Sequence, residues 1–151
     1  MSKPFQILVA EDDPNDAFFL ERAFDKGGVN VPIRFVTDGQ QVIDYLEKKT
    51  PFIESRSKNT PMLLLLDLKM PRMNGFEVLE WIQQQPKREE MTVVVFTSSG
   101  LDEDKRRALA LGADDYVVKP SYPAELLAFA KNLASYWSKP DSSKRTRRDT
   151  K

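Results

Sequence analysis

The chain contains no cysteine and no histidine among its 151 residues. Without cysteine it can form no disulfide, no thiolate nucleophile and no cysteine-ligated metal site. Without histidine, the most common general base and the most common nitrogen ligand for metals are also missing. Any metal bound by this chain must therefore be held by oxygen atoms, which favours Mg²⁺, Ca²⁺ or Mn²⁺.

Long apolar runs and an excess of charge of either sign are also missing. Lysine and arginine total 23, which balances 23 acidic residues, and 40% of the residues are hydrophobic. No apolar run approaches the length of a membrane span, and the first residues lack the pattern of a signal peptide. We therefore expect a cytoplasmic protein whose length suits one domain.

Charge is distributed unevenly between the body of the chain and its end. Residues 139–151 contain six basic and two acidic residues, a net charge of +4, which leaves −4 for residues 1–138. We predict that 1–138 form the folded domain and that 139–151 form a basic, disordered tail. No recognition motif for DNA accompanies this tail, so a solvated end is favoured over a nucleic-acid-binding arm.

Short apolar segments alternate five times with amphipathic segments along the chain. An apolar run bounded by turn residues predicts a strand, and apolar residues at helical spacing predict a helix. This alternation is typical of an α/β fold with a doubly wound parallel sheet of five strands and helices on both faces. The predicted strands are 5–10, 31–37, 62–67, 92–97 and 115–119.

Local signals predict how two of the connections are built. Asp13 followed by Pro14 is typical of a helix start, so we expect Asp13 to cap a helix and not to bind metal. Residues 48–61 are polar and show no periodicity, which predicts a long loop before the third strand. The last helix is predicted over 123–137.

The most informative segment is PMLLLLDLKMPRMNG, residues 61–75, in which an apolar run ends abruptly at Asp67. A carboxylate is expensive to bury in an apolar core. It is tolerated at the carboxyl end of a strand, where an open parallel sheet forms a crevice and binds ligands. Asp67 is therefore a candidate nucleophile, since a carboxylate can attack phosphorus.

The other predicted strands are followed by polar residues as well. Acids follow the first strand, hydroxyls follow the fourth and a lysine follows the fifth: Glu11, Asp12, Asp13, Thr97, Ser98, Ser99 and Lys119. Clustered carboxylates repel one another, and a hard divalent cation such as Mg²⁺ removes that repulsion. Lysine and hydroxyl groups suit the remaining oxygens of a phosphoryl group. The predicted pocket is thus suited to phosphoryl chemistry.

Four motifs in this order, LVAEDDP, LLLLDLKMPRMNG, VVVFTSSG and GADDYVVKP, resemble the receiver (response-regulator) domains of two-component signalling. The resemblance spans residues 5–138. It implies a flavodoxin-like (βα)5 fold with strand order 2-1-3-4-5 and five helices. It also implies that Glu11, Asp12 and Asp67 bind Mg²⁺ or Mn²⁺ together with the backbone carbonyl of Lys69.

The same resemblance implies a role for each remaining motif residue. Asp67 corresponds to the phosphoacceptor, and Thr97 to the hydroxyl that moves to meet the phosphoryl group. Lys119 corresponds to the lysine that contacts that group, with a cis peptide bond to Pro120. Tyr116 corresponds to the aromatic switch residue, although a tyrosine in a strand is more often an ordinary packing residue.

The implied function is that of a stand-alone response regulator, not an enzyme acting on a substrate. A sensor histidine kinase would phosphorylate Asp67, and the altered surface would bind an unidentified protein partner. A closer resemblance to the small receivers paired with bacterial and cyanobacterial phytochrome kinases implies a phytochrome-type kinase and a homodimer. It rests on the helix start EDDPNDAFFLERAF and the insertion at 48–61.

Three alternatives stay open at this point. The chain could be a phosphorelay intermediate that passes phosphate to a histidine phosphotransfer protein. It could be a binding module that works without phosphorylation, although such modules tend to lose the acids and the lysine. It could be an Mg²⁺-dependent phosphatase that works through an aspartyl-phosphate. Lys69 counts against the phosphatase, because those hydrolases place a second aspartate two residues after the nucleophile.

Overall fold

A parallel sheet of five strands forms the centre of the computed structural model, which describes residues 6–56, 62–86 and 88–133. The strand order is β2–β1–β3–β4–β5, as predicted. Each pair of neighbouring strands is parallel, so all carboxyl ends meet at one edge. The strands are β1 (Gln6–Ala10), β2 (Ile33–Val36), β3 (Met62–Leu66), β4 (Met91–Thr97) and β5 (Asp115–Val118).

A helix follows each strand and returns the chain to the opposite edge of the sheet. Helices α1 and α5 pack together on one face, and α2, α3 and α4 pack in sequence on the other. A short 3-10 turn, Arg88–Glu90, precedes β4. The helices are α1 (Pro14–Lys26), α2 (Gly39–Arg56), α3 (Gly75–Gln83), α4 (Asp102–Ala110) and α5 (Pro123–Asn132).

The alternation of side chains along the central strands divides the core between the two faces. In β3, Leu63 and Leu65 pack with the α1 and α5 side, whereas Leu64 and Leu66 pack with the α2 to α4 side. Residues two apart in a strand share a face, and both faces are covered by helices. This explains why β3 is apolar at every position until Asp67.

Side-chain caps fix where the helices that flank the carboxyl edge begin. The Asp13 carboxylate accepts hydrogen bonds from the backbone amides of Asn15 and Asp16, which confirms it as the cap of α1. At α3, Asn74 and Glu77 form a reciprocal capping box. Such caps satisfy amides that the first helical turn leaves unpaired. The two helix starts are thereby fixed beside the site.

The structure corrects the predicted connection before β3. The loop expected at 48–61 is wrong over its first part, because α2 continues to Arg56. A helix that is already nucleated can be extended through polar residues without an apolar face. The last helix is described over Pro123–Asn132, whereas residues 134–137 of its predicted range and the predicted tail at 139–151 lie outside the described residues. No helix within the described ranges is long and apolar enough to cross a membrane.

Candidate phosphoryl-transfer and metal site

The predicted site residues meet at the carboxyl edge of the sheet. Glu11 directly follows β1 and Asp67 directly follows β3, and the amide of Asp67 donates to the Ala10 carbonyl at 3.1 Å. Thr97 ends β4, and its carbonyl accepts from the Lys119 amide at 2.7 Å. These backbone bonds extend the sheet by one residue. They hold Asp67, Thr97 and Lys119 at the same carboxyl edge of the sheet.

The ammonium group of Lys119 lies among three carboxylates. Its Nζ is 2.6 Å from Glu11 Oε1, 2.9 Å from Asp67 Oδ2 and 2.9 Å from Asp16 Oδ2. Glu11 and Asp67 are almost fully buried, whereas the Asp16 side chain is 42% exposed. A buried carboxylate needs such a partner, because an unpaired buried charge is strongly unfavourable.

Burial and pairing have opposite effects on the protonation of these groups. Burial, reinforced by the charge of Asp67, raises the pKa of Glu11 to about 7, although Lys119 opposes the shift. Burial would lower the pKa of Lys119, but its bonds to Glu11, Asp16 and Asp67 outweigh this and raise it. Lys119 is therefore a permanent positive charge at the site.

Three carboxylates of the site are arranged so that they can share one cation. Ligand oxygens of Glu11, Asp12 and Asp67 all lie within 4.8 Å of one another, and Asp12 is exposed. All are hard oxygen donors, and with Asp16 they outnumber the single positive charge of Lys119. The residues present therefore fit a hard divalent cation such as Mg²⁺ or Mn²⁺.

The hydroxyl of Thr97 is buried at this edge without a partner. The residue is 0% exposed, and its Oγ1 makes no hydrogen bond. Buried polar groups are nearly always paired, so an unpaired one needs an explanation. One explanation is that this hydroxyl is available to bind an oxygen atom of a ligand. Ser99 differs, because its Oγ donates at 2.6 Å to Asp104 in the first turn of α4.

Tyr116 is half-buried against the core that faces α2, α3 and α4. Its hydroxyl donates to the Ser99 carbonyl at 2.9 Å, across the β4–α4 loop. Burial raises the pKa of Tyr116, and the Ser99 bond only partly offsets this. The side chain thus links β5 to the loop that follows Thr97.

Two further predictions concern Lys69 and Pro120. The Lys69 side chain is exposed, and its amide lies 3.4 Å from Asp67 Oδ1. The cis peptide bond expected between Lys119 and Pro120 is wrong, because the described chain contains none. Trans is the favoured form even before proline, and Lys119 reaches the acids with it.

Contacts outside the predicted site hold the β3–α3 loop, which carries Lys69. Asp38 caps α2 through the Gln41 amide, and its other oxygen accepts from Arg72, whose φ is 65°. The Gly39 amide donates to the Met73 carbonyl at 3.0 Å, with no room for a Cβ at Gly39. The β3–α3 loop is therefore tied to the start of α2.

Asp16 is the residue at the site that sequence reasoning missed. It lies in the first turn of α1, yet it pairs with a lysine 103 positions away. The available signal was the Asp13 cap, since a cap at Asp13 places Asp16 in the turn nearest the carboxyl edge. Asp16 and Lys119 also line a cavity of about 760 Å³, together with Phe19, Pro120, Tyr122 and Leu126.

Fold and site together define a class of protein. A doubly wound parallel sheet presents a nucleophilic carboxylate, an oxygen-only cation site and a lysine at its carboxyl edge. Such a set of groups is suited to phosphoryl transfer onto the protein itself.

A comparison with protein families shows which member of this class the chain is. The family model described as the response regulator receiver domain matches residues 7–131. The chain therefore belongs to the response regulator receiver domain family.

One similar curated relative is a probable methanogenesis regulatory protein, FilR2 of Methanothrix harundinacea. It is 34% identical over 134 residues, which cover 89% of this chain and 84% of the relative.

The similar solved structures include three response regulators. The bacteriophytochrome response regulator RtBRR is 33% identical, with a TM-score of 0.69, over 98% of this chain and 90% of that one. The phosphorylated cyanobacterial phytochrome response regulator RcpA is 26% identical, with a TM-score of 0.75, over 90% and 95%. The Mn²⁺-bound form of response regulator Rcp1 is 26% identical, with a TM-score of 0.72, over 89% and 94%.

Proposed function

We propose that this chain accepts a phosphoryl group on Asp67 from a sensor histidine kinase and signals through the change this causes in its surface. The observation that carries the proposal is the position of Asp67. It is a nearly buried carboxylate 2.9 Å from the Lys119 ammonium, and it shares a potential cation site with Glu11 and Asp12. Membership of the receiver family supports the same role.

In the proposed reaction a carboxylate oxygen of Asp67 attacks the phosphorus of a phosphohistidine. The new oxygen–phosphorus bond forms as the phosphorus–nitrogen bond breaks, and the leaving imidazole of the kinase keeps the electron pair and takes up a proton. Lys119 compensates negative charge on the phosphoryl oxygens. A divalent cation held by Glu11, Asp12, Asp67 and the Lys69 carbonyl would supply further charge compensation.

The same site supports a switch and not substrate turnover. The unpaired Thr97 hydroxyl is suited to bind a phosphoryl oxygen, and movement of the β4–α4 loop would disturb the bond from Tyr116 to Ser99. A phosphatase of the aspartyl-phosphate type needs an acid two residues after the nucleophile, where this chain has the exposed Lys69. We therefore propose no enzymatic activity beyond the chain's own phosphorylation and dephosphorylation.

The proposed kinase is of the phytochrome type, and the proposed assembly is a homodimer. RcpA and RtBRR are phytochrome response regulators by name, which supports the first point. The name of FilR2 points to a different pathway, so the kinase itself must be identified by experiment.

Intact-mass spectrometry after incubation with acetyl phosphate tests the proposal. We expect an Mg²⁺-dependent phosphate adduct on the parent chain and none on Asp67→Asn. The matched control is Asp25→Asn, which alters an exposed acid at the far end of α1 and should leave the adduct unchanged. An adduct of equal size on Asp67→Asn, or none on the parent chain, would remove Asp67 from this role.

A further inference from the structure

Asp16 differs from the other two carboxylates that contact Lys119. Glu11 and Asp67 belong to the group of oxygens close enough to share one cation, and Asp16 does not. All three nevertheless lie within 2.9 Å of the same Nζ atom. Glu11 and Asp67 could therefore bind either Lys119 or a cation, whereas Asp16 pairs with Lys119 and lies outside the candidate cation site.

This arrangement creates a competition that Asp16 can relieve. A divalent cation held by Glu11 and Asp67 would compete with the Lys119 ammonium for the negative charge of these two carboxylates. It would also repel the ammonium. Lys119 then needs another anion, and Asp16 is the remaining carboxylate in contact with it.

From this geometry we infer that Asp16 is a positioning residue for Lys119, which draws the ammonium away from Glu11 and Asp67 so that a divalent cation can bind them. The inference rests on the proposed function, because it concerns the same site. Asp16 is suited to the task because it lies on a capped, well-defined first turn of α1, while its side chain is 42% exposed. Its carboxylate can therefore follow the ammonium without being desolvated.

A double-mutant cycle followed by calorimetric Mg²⁺ titration tests the inference. We expect Asp16→Asn to weaken Mg²⁺ binding by about three- to tenfold, within the range of coupling between contacting charged residues. In a Lys119→Met background the same substitution should change the affinity by less than about twofold, because the competing ammonium is gone. Asp16→Glu should keep nearly the parent affinity, since it retains the carboxylate.

The control substitution is Glu21→Gln, which removes an exposed charge from the same helix without touching Lys119. Urea unfolding would verify that each variant is folded, and Lys119→Gln replaces Lys119→Met if the latter is not. Parent-like Mg²⁺ binding by Asp16→Asn overturns the inference. So does an equal loss in both backgrounds, which would show that Asp16 acts only as a distant charge.

Failure of the inference can be separated from failure of the proposed function. If the parent chain binds Mg²⁺ and forms the Asp67 adduct while Asp16→Asn matches it in both respects, only the role of Asp16 is wrong. If the parent chain binds no Mg²⁺ and forms no adduct, both the inference and the proposed function are wrong.

Discussion

The hydroxyl of Thr97 has a proposed function and a cost in stability. It is fully buried and unpaired, whereas the backbone around it is bonded to β5. Leaving a buried hydroxyl unpaired costs about 1–3 kcal/mol relative to pairing it. No packing requirement explains a polar group there, which supports the proposal that it binds a phosphoryl oxygen.

Replacing this hydroxyl by a methyl group should therefore stabilise the protein. We expect Thr97→Val to raise the free energy of unfolding by about 1 kcal/mol in metal-free buffer, because the unpaired oxygen is removed at nearly constant shape. The measurement is urea unfolding. Thr97→Ser keeps the hydroxyl and loses the methyl group, so it should lower stability. A loss of stability in Thr97→Val would show that the hydroxyl has a partner in solution.

The sequence shows which residues have a special role where the chemistry of a side chain stands out from its local context. Asp67 stands out because a carboxylate ends an apolar run, and the cap at Asp13 follows from its proline neighbour. Asp16 could not be found in this way, because its partner Lys119 is 103 residues distant. Only the folded sheet, which brings the end of β5 beside the start of α1, makes that pair visible.

Among the elements, the β3–α3 loop is held in place from outside the site. Asp38 is 1% exposed and connects this loop, through Arg72, to the first turn of α2. Burial would raise the pKa of Asp38, but the hydrogen bonds from the Gln41 amide and from Arg72 outweigh it. They hold the pKa below its ordinary value of 3.8. The ionised form of Asp38 thus stabilises the loop that follows Asp67.

This arrangement predicts a pH-dependent contribution to stability. We expect Asp38→Asn to lower the free energy of unfolding by about 1–2 kcal/mol at neutral pH. A carboxyl whose folded pKa is depressed stabilises the fold above its unfolded pKa, and that contribution is lost as the pH falls through the folded value. The difference between the parent chain and the variant should therefore shrink once the pH drops below 3.8.

Urea unfolding of both proteins at several pH values measures this difference. Asp44→Asn, on the exposed face of the same helix, is the matched control and should change stability by less than about 0.5 kcal/mol. A parent-to-variant difference that stays constant down to about pH 3 would contradict the assigned role of Asp38.

The order of the elements could be predicted from sequence, but their ends could not. Parallel pairing and the helix after each strand agree with the prediction, because apolar period and turn residues encode them. The strand order agrees with what the resemblance to receiver domains implied. The continuation of α2 to Arg56 was missed, because that segment has no apolar period to reveal a helix. The trans bond at Pro120 was also missed, because the expectation came from resemblance and not from local chemistry.

Among the described residues, two regions carry pairs of exposed large apolar side chains, and Leu101 and Tyr122, which precede α4 and α5, are exposed as well. One region is α1, where Phe18 and Phe19 are each more than half exposed. The other comprises α4 and β5, where Leu109 is 40% and Val118 is 47% exposed. Strand β5 is also an edge of the described sheet, and edge strands favour association with another chain. Tyr116 connects β5 to the β4–α4 loop, which links the second region to the loop that follows Thr97.

We therefore expect phosphorylation to promote a homodimer through α4 and β5. In sedimentation velocity, the parent chain should shift towards dimer after treatment with acetyl phosphate and Mg²⁺, whereas Asp67→Asn should not. Leu109→Asp should weaken the shift at least tenfold in dimer affinity, or about 1.4 kcal/mol, because it places a charge in an apolar interface. Phe18→Asp is the matched control on α1 and should dimerise like the parent chain. If the phosphorylated parent stays monomeric at every concentration, or if Phe18→Asp abolishes the dimer and Leu109→Asp does not, the apolar surface on α4 and β5 serves a different partner.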